Sequence, residues 1–291
     1  AWLVGVLLAF AVGWEVVRRG LSPLHRLSRQ AEAINPQRLA LRLDEEQQPQ
    51  ELQTLTAALN LMLARLEEGY AKLSQFSEDL AHEMRTPLNN LMIQNQLALS
   101  QPRTFQDYEQ LLDSQQEEYE RLARMVDNML FLARAEKQAA VLRLESIDLE
   151  QLAQQLAGYF EGMAQERGMR IEIVAQGHLH ADMGLTRRAL ANLLANAIRY
   201  GQAHSTITLR CDFAAPQWLD ITVLNQGPAI EEPHLSRIFD RFYRCDASRS
   251  HPDDSGGLGL AIVHSIMRMH GGSVLVSSSK TGTQFTLRFP R

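Results

Sequence analysis

Residues 51–100 read ELQTLTAALNLMLARLEEGYAKLSQFSEDLAHEMRTPLNNLMIQNQLALS. Apolar side chains recur at Leu52, Leu55, Leu59, Met62, Leu66, Leu73, Phe76 and Leu80, and the pattern runs on through Leu91 toward Leu99. Steps of three, four and seven residues align these side chains on one seam of a helix, as in a coiled coil. Gln101-Pro102 ends the run. At about 1.5 Å per residue, roughly 50 residues make a rod of about 75 Å, and a lone rod cannot hide its own seam. Residues 104–135 supply a second stripe through Tyr108, Leu111, Leu112, Tyr119, Leu122, Met125, Met129 and Leu132. The short turn between the stripes predicts an antiparallel helical hairpin. Two hairpins would complete a four-helix bundle, which predicts a homodimer.

The pattern changes from about Ile147. Strand-like runs at Met169–Val174, Ser205–Phe213, Leu219–Leu224, Ser273–Ser277 and Thr283–Phe289 alternate with amphipathic helices. That alternation predicts an α/β sandwich, with the charged segment Arg134–Arg143 as its linker. Upstream of the rod, Leu24, Leu27, Ala31 and Ile34 mark a helix over Leu21–Ile34, which Asn35-Pro36 breaks; a polar connector follows through Asp44, Glu45, Glu46 and Pro49. Residues 1–14, AWLVGVLLAFAVGW, carry no charge. A span needs about 20 apolar residues, so this run reads as the end of a transmembrane helix in a chain cut from a longer protein. The other reading is a buried core helix. Arg18, Arg19, Arg26, Arg29, Arg38 and Arg42 follow the run and place this side of the membrane in the cytoplasm.

A hydrophobic fraction of 45% excludes wholesale disorder, and a net charge of −5 speaks against a dedicated nucleic-acid binder. Cys211 and Cys245 form neither a CxxC pair nor a disulfide framework, which favours a reducing compartment. His178 and His180 alternate and share one face of a possible strand; a surface strand is the better reading than a metal site.

Two constellations carry chemistry. His82 lies off the seam, with Glu83 beside it to accept or orient its proton. Thr86 follows one helical turn later, and Pro87 deprives the Glu83 carbonyl of its helical partner. The other constellation begins at residues 187–200, RRALANLLANAIRY. Its apolar face is Leu190, Leu193, Leu194, Ala197 and Ile198, and Asn192, Asn196 and Arg199 form a polar stripe. An Asn carbonyl suits Mg²⁺, an Arg pairs with phosphate, and Tyr200 can lie against a base. Local hydrogen bonding is the alternative for the amides. In residues 255–270, SGGLGLAIVHSIMRMH, Gly257 and Gly259 precede or open a helix, where backbone amides can approach a phosphate. The polar segment CDASRSHPDDS, residues 245–255, suits a mobile lid.

HEMRTPL at residues 82–88 resembles the phosphoacceptor motif of two-component sensor histidine kinases, and the resemblance extends over nearly the whole chain. LSPLHRLSRQAEAI with ELQTLTAALNLMLARLEE resembles the two helices of a HAMP relay. RRALANLLANAIRY resembles the N box, IFDRFYR the F box, SGGLGLAIVHSIMRMH the G2 box and KTGTQFTLRFP the closing segment. The resemblance implies a multidomain chain: the end of a transmembrane helix at 1–17, a HAMP relay at 18–70, a dimerising phosphotransfer hairpin at 71–138 and a catalytic ATP-binding α/β sandwich at 139–291. It implies that ATP phosphorylates His82, which then passes the phosphoryl group to an aspartate of a response regulator receiver domain. Glu83 and Thr86 would join His82 in catalysis, Thr86 mainly in a reverse phosphatase reaction. ATP would be held by Asn192, Asn196, Arg199, Tyr200, Asn225, Gly227, Tyr243, Arg244, Gly257, Leu258, Gly259, Leu260 and Thr283, with Asn196 as the Mg²⁺ ligand.

The family pattern is broken in the box after the strand LDITVL and, at one position, in the G2 box. Where it has Asp and two spaced glycines, residues 225–230 read NQGPAI, so Asn225 replaces the Asp and Ala229 the second Gly; Ser255 replaces the leading Gly of the G2 box. An Asn at this place, MIQNQLALSQPRTFQDYEQLL and MVDNMLFLARAEK resemble the heavy-metal branch of copper and silver type. The resemblance thus implies a bacterial inner-membrane protein in a metal response. The competing expectations are a dimeric signalling scaffold or phosphatase-only protein with a degenerate nucleotide domain, and a related ATPase or chaperone of the same nucleotide fold.

Overall fold

The computed structural model describes residues 2–32, 39–44, 49–136, 142–215, 217–245 and 256–291. The expected break at Asn35-Pro36, connector residues Glu45 and Glu46, the middle of the linker, and the expected lid beyond Cys245 lie outside the described residues. The chain divides into two compact units, Ala1–His82 and Glu83–Arg291, which are described in turn.

The first unit holds helix α1, Trp2–Glu32, and the first part of α2, Gln50–Ser100. The apolar run and residues 21–32 of the expected next helix form one helix, with Pro23 inside it. Trp2, Leu3 and Phe10 are 89%, 80% and 72% exposed. Among the described residues no helix is long and apolar enough to cross a membrane. The core of this unit is Leu27, Leu43 and Leu63, with Leu52 and Leu59 packed against it. The connector is pinned to α2 by Asn60, whose Oδ1 accepts the Leu43 N–H at 2.8 Å and whose Nδ2 donates to the Leu43 carbonyl at 2.9 Å. Arg42 adds an ion pair to Glu67 at 2.5 Å. The buried stripe of α2 is therefore Leu52, Thr56, Leu59 and Leu63, because the connector lies over it. The predicted seam through Leu55, Met62, Leu66 and Leu73 remains about half exposed.

In the second unit the rest of α2 and α3, Phe105–Glu136, form the hairpin. Thr104 and Asp107 cap α3 reciprocally: the Asp107 amide donates to Thr104 Oγ1 at 3.2 Å, and the Thr104 amide to Asp107 Oδ2 at 2.9 Å. Leu91, Ala98, Met125, Met129 and Leu132 are buried in this unit. Polar rungs set the register: Asn90 to Glu118, Gln94 to Ser114, and Gln115 to Asn95.

The α/β part follows. Strand β1, Leu144–Asp148, pairs antiparallel with β3, His178–Asp182, in a small sheet. The main sheet has the order β2-β4-β5-β7-β6. Its strands are β2 Arg170–Val174, β4 Thr206–Ala215, β5 Trp218–Asn225, β6 Ser273–Ser279 and β7 Gly282–Pro290. Among the described residues only β2 and β4 run parallel. Four helices accompany them: α4 Leu149–Glu166, α5 Met183–Tyr200, α6 Glu232–Leu235 and α7 Gly259–Met269. Ile207, Ile221, Val223, Leu287 and Phe289 of the sheet and Leu152, Leu193, Leu194, Ile262 and Ile266 of the helices are nearly fully buried, which is the packing of a two-layer sandwich. At alternate positions Arg288 grips Asp220 with two bonds of 2.9 and 2.7 Å, and Thr222 meets Thr286 at 3.1 Å. Strand β1 was not expected; its five residues bury Ile147 and leave Leu144, Glu145 and Ser146 exposed. His178 and His180 are both exposed on β3, and no group of three or more His, Cys, Asp or Glu side chains among the described residues could hold a metal.

Candidate functional site

Helix α5 is fixed at both ends before any ligand is considered. At its start, Asp182 Oδ1 accepts the Leu185 amide at 3.0 Å and Oδ2 accepts the Arg143 amide at 3.0 Å. Burial pushes the Asp182 carboxyl up, but these amide bonds, with His270 nearby and the Gly184 amide, outweigh burial and hold it below the usual carboxylate range. The backbone amide of Asp182 donates to His270 Nε2 at 3.1 Å, and His270 Nδ1 donates to the Ile266 carbonyl at 2.9 Å. One imidazole thus joins the end of α7 to the start of α5. At the far end, the Arg167 guanidinium donates to the carbonyls of Ile198, Arg199 and Gly201. A cation on the last carbonyls of a helix satisfies them and matches the helix dipole.

The fixed end of α5 opens on a cavity of about 440 Å³, within the range of small-molecule sites. Helix α5 contributes Asn196, Arg199 and Tyr200; β5 contributes Asn225; and the segment after β5 adds Pro228, Ala229, Ile230 and Glu231. Tyr243, Arg244 and Cys245, then Gly257, Gly259 and Leu260, and finally Thr283 and Phe285 complete the wall together with His234 and Ile238.

Backbone crossings hold these segments together. Gly257 has φ +70°, and a Cβ there would lie 2.8 Å from the Phe242 backbone; the Phe242 amide donates to the Gly257 carbonyl at 3.1 Å. A side chain at Gly282, φ +146°, would meet the Asn225 carbonyl at 2.3 Å. Both positions therefore exclude any residue with a Cβ. Thr283 Oγ1 meets Ser278 Oγ at 2.7 Å, and Ser278 in turn accepts the Ile230 amide at 2.9 Å. Asn225 is 5% exposed, and its Nδ2 donates to the Gln226 carbonyl at 3.2 Å, which leaves Oδ1 as the acceptor for the cavity. Helix α7 starts at Gly259 with no side-chain cap bond, so its first amides are suited to an anion.

Three of the expected residues are not on this wall. Asn192 turns its Nδ2 to the Arg188 carbonyl at 2.8 Å, the local bonding weighed for it. Gly227 packs against α5, where a Cβ would meet the Tyr200 carbonyl at 2.7 Å. Leu258 is fully buried just before α7. Glu231 and His234 were missed in turn; a four-residue helix gives no periodic signal.

On α2, His82 and Thr86 are exposed, Glu83 is half-buried and Pro87 is buried, with the helix continuous through the proline. In the second unit, a Cβ on Gly256 would lie 3.3 Å from Glu83 Oε2 and from Met125 Cε. Arg188 joins α5 to α3, donating to Asn128 Oδ1 at 2.8 Å and lying 4.2 Å from the Phe131 ring centroid.

Residues 16–68 match the HAMP domain, residues 72–138 the His Kinase A (phospho-acceptor) domain, and residues 181–291 the family described as Histidine kinase-, DNA gyrase B-, and HSP90-like ATPase. The chain is 47% identical over 290 residues to sensor protein CzcS of Cupriavidus metallidurans, covering 99% of this chain and 60% of that protein. It is 44% identical over 289 residues to sensor protein IrlS of Burkholderia pseudomallei, covering 99% and 62%, and 38% identical over 291 residues to sensor histidine kinase CusS of Escherichia coli K12, covering 100% and 60%. It thus spans about three fifths of the length of these relatives. Histidine kinase AdeS of Acinetobacter baumannii shares the fold, with a TM-score of 0.60 at 23% identity over 72% of this chain and 97% of that one. Full-length ShkA in complex with AMPPNP aligns with a TM-score of 0.57 at 27% identity, over 75% of this chain and 45% of that one.

Proposed function

Because the chain belongs to the sensor histidine kinases, carrying their HAMP, phosphoacceptor and ATPase domains in order, we propose that it is the cytoplasmic part of a membrane-anchored, dimeric kinase of the heavy-metal branch. ATP donates its γ-phosphoryl group to His82, and phosphohistidine passes it to an aspartate of a response regulator receiver domain. The observation that carries this reading is a cavity of nucleotide size that gathers Asn196, Arg199, Tyr200, Asn225, Tyr243, Arg244, Gly257, Gly259 and Leu260.

The wall of the cavity divides by chemistry. Tyr200, Ile230, Ile238 and Phe285 offer apolar area to a base. Asn225 Oδ1 offers an acceptor to an exocyclic amine. The Gly257 crossing and the uncapped start of α7 offer backbone amides to phosphates. Asn196, half-buried on the wall, supplies an amide oxygen of the donor class that Mg²⁺ takes. When bound there, Mg²⁺ would offset the charge of the phosphate oxygens. Glu83 accepts or orients the imidazole proton of His82. Thr86 holds a water for the reverse hydrolysis of the regulator's phosphoaspartate.

The test is incubation with labelled ATP and Mg²⁺. The label should survive alkali, be lost in acid and be absent from His82→Gln. A His82→Gln protein that labels fully overturns the assignment. Asn225 and Ala229 favour one second reading, a scaffold or phosphatase-only protein with a degenerate pocket; a chain that neither binds ATP nor labels, yet dephosphorylates the regulator, would establish it.

A further inference from the structure

Tyr243, on the cavity wall, is held from three sides. Its hydroxyl lies 2.5 Å from His234 Nδ1. Its ring lies under the Arg237 guanidinium, 4.4 Å from centroid to Cζ. Its backbone follows Phe242, which has φ +60°. An aromatic residue in the left-handed region is an outlier that persists only where its surroundings over-determine it, and such strain gathers at functional sites. Here the Phe242 amide bond to Gly257 holds the backbone. His234 shares the cavity wall with Tyr243.

We propose that His234 is a positioning residue that sets which way the Tyr243 hydroxyl presents its proton to the phosphates of a bound nucleotide. The proposal rests on the nucleotide reading of the cavity. In neutral His234 with its proton on Nε2, Nδ1 accepts the Tyr243 O–H, and the hydroxyl turns only lone pairs to the cavity. In protonated His234, Nδ1–H donates to the Tyr243 oxygen, and the phenolic proton turns outward as a donor. A phosphate accepts such a donor and repels bare lone pairs. The imidazole and the tyrosine it holds lie among charged groups. Glu231 Oε2 lies 4.0 Å from Nε2 but is 82% exposed. Arg237 covers the Tyr243 ring while pairing with Asp240 at 3.8 Å, and Arg244 and Cys245 follow Tyr243 on the wall. Across from them α7 presents His264 to Phe239, at 5.9 Å between centroids.

The consequence is a nucleotide affinity that rises as pH falls through the range where imidazoles gain a proton, between about pH 8 and 6. The experiment uses the whole chain and measures ATP affinity by calorimetry at several pH values. It compares the wild type with His234→Gln, Tyr243→Phe and the double variant. The terminal phosphate of ATP titrates in the same range, but identically for every protein, so it cancels in ratios. The wild-type to His234→Gln affinity ratio should grow about tenfold or more from pH 8 to 6, the worth of one hydrogen bond to a charged group. Tyr243→Phe should show the same growth, and the double variant should add nothing to either single one. A ratio that stays constant with pH overturns the relay while the nucleotide site stands. A wild type that binds no nucleotide at any pH overturns both.

Discussion

Asn225 is one of the residues at which this chain departs from the usual family pattern, and there a single atom makes the difference. Its amide nitrogen is spent on the Gln226 carbonyl, 3.2 Å away, so a carboxylate in its place would gain a stronger bond to an adenine amine and lose that tie. Hydrogen bonds to charged acceptors run about twice as strong as neutral ones, a gain of about 1 kcal/mol. Part of that gain is offset by burying a carboxylate beside a carbonyl. Asn225→Asp should therefore tighten ATP by up to about fivefold, at 1.4 kcal/mol per decade, and lower the melting temperature of the ligand-free protein. Asn225→Ala should weaken ATP and leave GTP nearly unchanged. Calorimetry with both nucleotides decides this; equal affinities for all three proteins would mean that Asn225 does not read the base.

At the scale of elements, the site depends on α5 being held at its start. Asp182 is both its cap and the acceptor for the Arg143 amide. Losing an N-cap costs about 1 kcal/mol, and Asp182→Ala should cost at least that in chemical denaturation. The carboxyl of Asp182 is held below its ordinary value of 3.8. A depressed carboxyl contributes stability that is complete above its unfolded value and lost as pH falls through the folded one. Below about pH 4 the wild type should therefore lose stability more steeply than Asp182→Asn, as read from melting temperature against pH. Helices such as α5 and α7 were legible in the sequence because their apolar residues recur at helical spacing, and on α5 part of the opposite polar stripe, Asn196 and Arg199, lines the cavity. The short pieces were not legible. Strand β1 buries Ile147 and leaves Leu144 to Ser146 exposed, too little alternation to register, and α6 is too short for a period, so His234 and Glu231 went unread. Asn192 misled for the opposite reason: it shares the stripe of Asn196, but its amide bonds back to the Arg188 carbonyl, a choice that spacing cannot reveal.

The whole molecule is legible in what its helices leave uncovered. In the second unit Leu91, Ala98, Met125, Met129 and Leu132 are buried, while Leu88, Met92 and Leu99 on α2 and Leu112, Tyr119 and Val126 on α3 are exposed. The exposed residues of α3 repeat every seven, and those of α2 step by four and seven, which is the signature of a second packing seam rather than of a solvated face. In the first unit, Leu55, Met62, Leu66 and Leu73 are likewise exposed, while Leu27, Leu43 and Leu63 make the internal core. The sequence pattern could not separate the two stripes, because the stripe closed within the chain and the stripe left open interleave at the same spacing. Burying a Leu or Met side chain is worth about 1.5–3 kcal/mol, so an open seam of this length favours pairing with a second copy of the chain. Light scattering at micromolar concentration should give the mass of a dimer. Leu88→Glu with Met92→Glu places charge on the open seam and leaves the buried residues alone. It should weaken the dimer at least a hundredfold, the equivalent of about 2.7 kcal/mol, with the helical circular dichroism of each protomer largely kept. If the double variant loses its helicity along with its partner, these side chains hold up the hairpin itself. If it remains a dimer at the same concentration, the second copy packs elsewhere, and the heptad of exposed residues on α3 must be covered by something other than its own likeness.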